Sequence, residues 1–135
     1  MFAINTRILI IDDMPSIREL VRGQLRSMGF VDIVEAEDGE LGWRLIEEKY
    51  SEANPFQLVI SDWNMPNLKG LDLLKRVRSK TQFAGLPFIL LTSEAERDQV
   101  TEAVMAGVSQ YIVKPFSGRT FEDKLKSAYA KHHKK

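Results

Sequence analysis

The sequence has no cysteine, which rules out disulfide bonds, thiolate metal sites and thiol nucleophiles and gives no sign of an oxidising compartment. It has no excess of charge either, since 19 Lys and Arg balance 19 Asp and Glu. Electrostatics therefore favour neither nucleic acid nor an anionic membrane as a partner. No apolar run approaches the roughly 18 residues that a membrane span needs. The opening Met1-Phe2-Ala3-Ile4-Asn5-Thr6-Arg7 lacks the basic region and apolar stretch of a signal peptide. Histidine is confined to His132 and His133, so the core holds no candidate phosphohistidine. What remains is a chain of 135 residues, 44% hydrophobic and 28% charged. That is the composition of one ordinary globular domain, expected in the cytoplasm.

What is present begins with short apolar runs that each end in a polar residue. Ile8-Leu9-Ile10-Ile11 runs into Asp12-Asp13, and Phe56 to Ser61 runs into Asp62. Pro87-Phe88-Ile89-Leu90-Leu91 runs into Thr92, and Tyr111-Ile112-Val113 into Lys114-Pro115. Runs of this kind, rich in β-branched residues, predict buried parallel strands. In an open α/β sheet, chemistry sits outside the carboxyl ends of the strands. One site is therefore expected to gather Asp12, Asp13, Asp62, Thr92 and Lys114. The set suits a carboxylate nucleophile, a divalent cation and a bound oxyanion.

Amphipathic helices separate the strands. Pro15 suits a first helical position, and Ile17, Leu20, Val21, Leu25 and Met28 then recur near the helical period, with Gly29 as a left-handed stop. Val31 to Glu35 predicts a short second strand, and Gly39 to Tyr50 a second helix with Leu41, Leu45 and Ile46 inward. Leu71, Leu74 and Val77 mark a third helix. Val100, Ala103 and Val104 mark a fourth, ending at Gly107, and Phe121, Leu125 and Tyr129 a fifth. Five alternations of strand and helix without linker or repeat predict a doubly wound, five-stranded parallel sheet with five helices. The whole chain, 1–135, is expected to be one domain, with its core over about 6–130 and a flexible basic tail over 131–135.

Clustered carboxylates need compensation. Two like charges about 4 Å apart repel by roughly 4 kcal/mol at a protein-surface dielectric, so three in one pocket either raise a pKa or hold a cation. Oxygen ligands without His or Cys favour Mg²⁺. Taken alone, Asp12-Asp13 is equally a helix cap and Asp62 a turn former. The joint placement of five groups at strand ends is what carries the reading.

The motifs Ile11-Asp12-Asp13, Ser61-Asp62-Trp63-Asn64-Met65-Pro66-Asn67, Leu91-Thr92-Ser93-Glu94 and Lys114-Pro115-Phe116 closely resemble the receiver domain of two-component response regulators. With Glu35-Ala36-Glu37-Asp38-Gly39, they look specifically like its stand-alone chemotaxis members. The resemblance runs from about Thr6 to Ala130 and implies a flavodoxin-like sheet of order 2-1-3-4-5, an order known for this family and not read from the residues. It implies that Asp62 accepts a phosphoryl group from a histidine kinase, and that Asp13, Asp62 and the main-chain carbonyl of Asn64 bind Mg²⁺ while Asp12 acts through a bound water. It implies that Lys114 and Thr92 contact phosphoryl oxygens, that Asn64 and Glu94 tune the phosphate lifetime, and that the peptide before Pro115 is cis. Tyr111 matches the family's aromatic switch, and Lys124 lies on the output face beside Ser127. The implied partners are the kinase and a downstream protein, such as a flagellar motor switch, with the chain a monomer that catalyses only its own phosphorylation and dephosphorylation. Lys69 and Ser127 depart from the chemotaxis pattern, which puts the partner's identity in doubt.

Other readings are weaker. A phosphate sink or relay in another pathway would use the same residues. A haloacid-dehalogenase-type phosphatase wants a second acid two residues after its nucleophile, where this chain has Asn64 after Asp62 and Met14 after Asp12. A flavodoxin-like cofactor binder needs a phosphate loop after the first strand, where Asp12 and Asp13 would repel the phosphate. A receiver excised from a longer protein would look the same, but the initial Met1 and the solvated tail lead us to expect a stand-alone regulator.

Overall fold

The computed structural model describes residues 1–93 and 99–133. Five strands, β1 (Ile8–Ile11), β2 (Ile33–Ala36), β3 (Leu58–Asp62), β4 (Phe88–Thr92) and β5 (Gln110–Val113), form one parallel sheet. Its order is β2-β1-β3-β4-β5. Among the described residues the helices are α1 (Pro15–Ser27), α2 (Gly39–Ser51), α3 (Gly70–Ser79), α4 (Val100–Met105) and α5 (Gly118–His132). A single 3₁₀ turn, Thr81–Phe83, precedes β4. No helix among the described residues is long and apolar enough to cross a membrane.

The continuous apolar runs are explained by coverage on both faces. The central strands β1, β3 and β4 are buried along their whole length. Successive side chains of a strand alternate between faces. Ile8, Ile10, Leu58, Ile60, Ile89 and Leu91 accordingly pack against Val21 and Leu25 of α1 and Phe121 and Leu125 of α5. Leu9, Ile11, Val59, Phe88 and Leu90 pack against Ile46 of α2, Leu73 and Val77 of α3 and Ala103 of α4. The sheet thus serves two cores at once.

Two strands begin later than hydrophobicity alone suggests. β2 begins at Ile33, not Val31, because Ile8 pairs with Ile33 and leaves Val31 exposed. β3 begins at Leu58, with Phe56 buried in the preceding turn. Gly29 does adopt the left-handed conformation, at φ +100°. Two positions expected inward are not: Leu20 and Val104 are 48% and 56% exposed. Each lies at the margin of its helix's apolar stripe, and α4 is only six residues long, so periodicity defines its face poorly.

The largest departure concerns the expected tail. Lys131 and His132 belong to α5, because His132 continues the stripe of Phe121, Leu125 and Ala128 at helical spacing. Its Nε2 lies 2.6 Å from Ser109 Oγ. That hydroxyl accepts from the Phe88 amide at 2.9 Å, which leaves its proton for the imidazole. Burial, then the charges of Arg78, His133 and Lys131, hold the His132 pKa below its ordinary value.

Core and margin positions should respond differently to truncation. Leu125→Ala, at a wholly buried site, is expected to lower the free energy of unfolding in urea by about 2–5 kcal/mol. Val104→Ala should change it by less than about 0.5 kcal/mol. A comparable loss in both would mean that α4 packs through Val104.

Candidate functional site

The carboxyl ends of β1, β3, β4 and β5 meet at one edge of the sheet. Asp12 follows β1, Asp62 ends β3, Thr92 ends β4 and Lys114 follows β5. The register brings them level: Ile11 lies opposite Ser61, Asp62 opposite Leu91, and Thr92 opposite Val113. One carboxylate oxygen each from Asp12, Asp13 and Asp62 falls within 4.8 Å of the others, with Asp12 and Asp62 buried and Asp13 exposed. Lys114 Nζ donates to Asp62 Oδ1 at 2.7 Å and stands 4.0 Å from Asp12 Oδ2. The five groups expected at strand ends therefore share one site.

Local structure fixes each acid. Asp12 Oδ1 accepts from the Met14 amide at 2.9 Å, closing the turn that leads into Pro15 and α1. Its main-chain amide donates to the Ala36 carbonyl at 3.1 Å. Asp62 is held from below by Gly70, since any side chain there would strike the Asp62 main-chain oxygen. The Trp63 amide donates to the Leu91 carbonyl at 2.9 Å, and its indole is buried against Met65 and the α2–α3 core. Thr92 is buried, with its hydroxyl 3.4 Å from the Ser93 carbonyl. Lys114 is placed by its amide's bond to the Thr92 carbonyl at 2.7 Å, and the following Lys114–Pro115 peptide is cis.

The electrostatics are those of a site built for a cation. Burial is the main reason that the Asp12 pKa is pushed up to about 6, with Asp62 and Asp13 adding to it and the Met14 amide and Lys114 opposing. Asp12 Oδ2 is buried and has no hydrogen-bond partner among the described residues. An orphaned carboxylate oxygen beside two further carboxylates fits a hard divalent cation such as Mg²⁺, which takes one or two carboxylates and keeps several waters. No thiolate or imidazole stands among these groups, which agrees with that choice.

The remaining expected residues lie around this centre. Asn64 is exposed in the loop after β3. Glu94 lies outside the described residues. Tyr111 is half-buried on β5, and Lys124 Nζ stands over its ring, 4.6 Å from the centroid, while donating to Gln110 Oε1 at 3.3 Å. Ser127 accepts from Gln110 Nε2 at 2.8 Å, so Tyr111, Lys124 and Ser127 form one surface. Met14 is 51% exposed at the mouth of the site. Sequence reading missed Arg18, which holds the loop of Asp12 and Asp13, and Asn67, which holds the loop after Asp62. Nothing in their spacing distinguishes them from solvated polar residues, and only the pairing of α1 with β2 and of the β3–α3 loop with α2 reveals them.

Known proteins resemble this chain over most of its length. Residues 8–126 match the family model described as the response regulator receiver domain. Chemotaxis protein CheY-3 of Vibrio cholerae is 41% identical over 121 residues, covering 90% of this chain and 89% of that protein. Chemotaxis protein CheY of Pseudomonas aeruginosa is 37% identical over 123 residues, covering 91% and 95%. The crystal structure of Vibrio cholerae CheY4 at low pH superposes with a TM-score of 0.78 at 29% identity, covering 92% of this chain and 98% of that one.

The raised pKa of Asp12 has a signed consequence for the metal-free protein. A folded pKa above the ordinary 3.8 means that the folded state binds this proton more tightly than the unfolded chain does. The resulting stability is complete below about pH 4 and is lost as the pH rises through about 6. At about 1.4 kcal/mol per pKa unit, ionised Asp12 costs the metal-free fold on the order of 3 kcal/mol at neutral pH. Asp12→Asn keeps the acceptor for Met14, so without divalent cation it should gain on wild type progressively between pH 4 and 7 in urea unfolding. A stability difference independent of pH would show that Asp12 titrates normally.

Proposed function

The chain belongs to the response regulator receiver family, and from that premise we propose that it is a phosphorylated switch with Asp62 as the acceptor. Such receivers take their phosphoryl group from a histidine kinase and act on a downstream target. The observation that carries the reading is Asp62 itself, buried at the carboxyl end of β3, paired with Lys114 at 2.7 Å and sharing its pocket with two further carboxylates. A carboxylate oxygen of Asp62 attacks phosphorus, the P–N bond to the donor histidine breaks, and imidazole leaves with that electron pair.

Asp13, Asp62 and the Asn64 carbonyl would hold Mg²⁺, and Asp12 would act on it through a water. When bound, the ion neutralises charge developing on the phosphoryl oxygens. Lys114, a compact point charge, passes from the Asp62 carboxylate to a phosphoryl oxygen as the carboxylate becomes an acyl phosphate. The Thr92 hydroxyl donates to another. Asn64, together with Glu94 as the family resemblance implies, sets how readily water reaches the phosphate. The chain acts on no separate metabolite.

Output runs through Tyr111. Thr92, moving toward the phosphate, vacates space into which the Tyr111 ring turns, and the surface of Tyr111, Lys124 and Ser127 changes with it. The names of both relatives support a target in motility control, such as a flagellar motor switch protein. Lys69 and Ser127 make this chain's choice of partner its own.

Two measurements test the scheme. Asp62→Asn keeps the size and removes the nucleophile, so Mg²⁺-dependent labelling by acetyl phosphate should vanish while the fold persists. Undiminished labelling would move the acceptor elsewhere. Beryllofluoride titrated with and without the downstream partner should bind more tightly with it, by the same factor by which beryllofluoride tightens binding of that partner. Identical curves would make the chain a phosphate sink or relay.

A further inference from the structure

The β1–α1 loop, which carries Asp12 and Asp13, and the loop that follows Asp62 are both tied to a part of the fold that supplies no acid to the cluster. The main-chain oxygen of Asp12 accepts from Arg18 Nη1 at 2.6 Å. Arg18 Nε donates to Glu35 Oε1 at 3.0 Å, and Arg22 grips Glu35 Oε2 at 2.9 Å. The β1–α1 loop is thus bound through α1 to the edge strand β2. On the other side, Asn67 Nδ2 donates to Asp38 Oδ2 at 3.0 Å, while Asp38 Oδ1 caps α2 by accepting from the Leu41 amide at 2.8 Å. Gly39 adds a close seat, because a side chain there would collide with the main-chain oxygen of Leu68. The loop 63–69 therefore rests on the first turn of α2.

We infer that the β2–α2 corner is the positioning frame of the centre. Glu35, acting through Arg18, and Asp38, acting through Asn67, set the separation of the two loops that carry Asp12, Asp13 and Asn64. The inference rests on the Mg²⁺ reading above and adds Arg18 and Asn67 as positioning residues. Asp12 and Asp13 on the first loop are repelled by Asp62 at the end of β3, and tethers on the loops that follow both strands oppose that drift. The tethers matter because Mg²⁺ demands near-octahedral ligands at about 2.0–2.1 Å, so a small loss of position removes affinity that neighbouring charge cannot restore.

Arg18 permits a test by sign. Its guanidinium touches the Asp12 carbonyl, and by Coulomb's law a cation there opposes a second cation in the site. Removing it for its charge alone would tighten Mg²⁺ binding, whereas removing a tether weakens it. Asn67 permits a clean deletion. Its φ is +71°, a conformation that glycine adopts without strain, so Asn67→Gly removes the side chain and spares the backbone.

Mg²⁺ titration calorimetry on the full chain decides the matter, with unfolding midpoints recorded for each variant. Arg18→Met and Asn67→Gly should each bind Mg²⁺ roughly tenfold more weakly than wild type, the scale seen when partners of metal ligands are removed. Arg18→Lys, which keeps a donor, should recover part of that loss, and the acetyl phosphate labelling rate at low Mg²⁺ should fall in parallel and recover at saturating Mg²⁺. Should Arg18→Met not fold, Asn67→Gly and Arg18→Lys carry the test. Equal or tighter Mg²⁺ binding in a folded Arg18 or Asn67 variant overturns the frame. Absence of Mg²⁺ binding by wild type, or labelling that survives in Asp62→Asn, overturns instead the functional reading beneath it.

Discussion

Asp12, Asp13 and Asp62 present carboxylate oxygens within 4.8 Å of one another, and the surrounding structure answers to their repulsion. At such separations each ionised pair opposes the fold by several kcal/mol at an effective dielectric near 20. The strands cannot yield, because β1 and β3 are buried along their length and locked between two cores. The strain is met locally. Lys114 offsets part of it through Asp62, and Asp12 meets another part by holding its proton up to about pH 6. Asp12 Oδ2 keeps only the longer contact with Lys114, at 4.0 Å, and no hydrogen bond among the described residues. The arrangement fits a hard cation, which would complete the compensation.

The acids were legible in the sequence for a mechanical reason. A polar residue closing a wholly buried strand has only the sheet's edge to occupy, so Asp12, Asp62 and Thr92 could be assigned to one edge before any pairing was known, and Lys114 joins them at the end of the half-buried β5. Strand order was not legible on the same terms, since hydrophobic runs carry no information about which neighbour they join, and it came with the resemblance. The edges slipped because β2 is only half covered, so burial does not mark its start. Arg18 and Asn67 escaped notice because a hydrogen bond to a main-chain oxygen or a distant carboxylate leaves no periodic trace. His132 was hidden differently. A basic cluster reads as solvated, although the stripe of Phe121, Leu125 and Ala128 already pointed to it.

Chemistry and stability are divided between layers. The aliphatic side chains of β1, β3 and β4 face one core or the other, while the reactive groups sit at strand ends and in the loops beyond. Changes at the loop ends can therefore alter a ligand or a partner without disturbing the packing below. Lys69 and Ser127 lie in this outer layer, both exposed, which is where a receiver can change its allegiance while keeping its reaction.

The bond between His132 and Ser109 gives α5 a mechanical character. The helix is fastened at its final turn to the starting edge of the sheet, while its first turn follows directly from the Lys114–Pro115 corner. A body fixed at one end does not slide; it swings. Over the 15 residues of α5, at 1.5 Å each, the arm is about 20 Å long. A displacement of about 1 Å at the first turn becomes a tilt of roughly 3° about the far end. Any such tilt would move residues along α5 in proportion to their distance from that end, Lys124 more than Ser127.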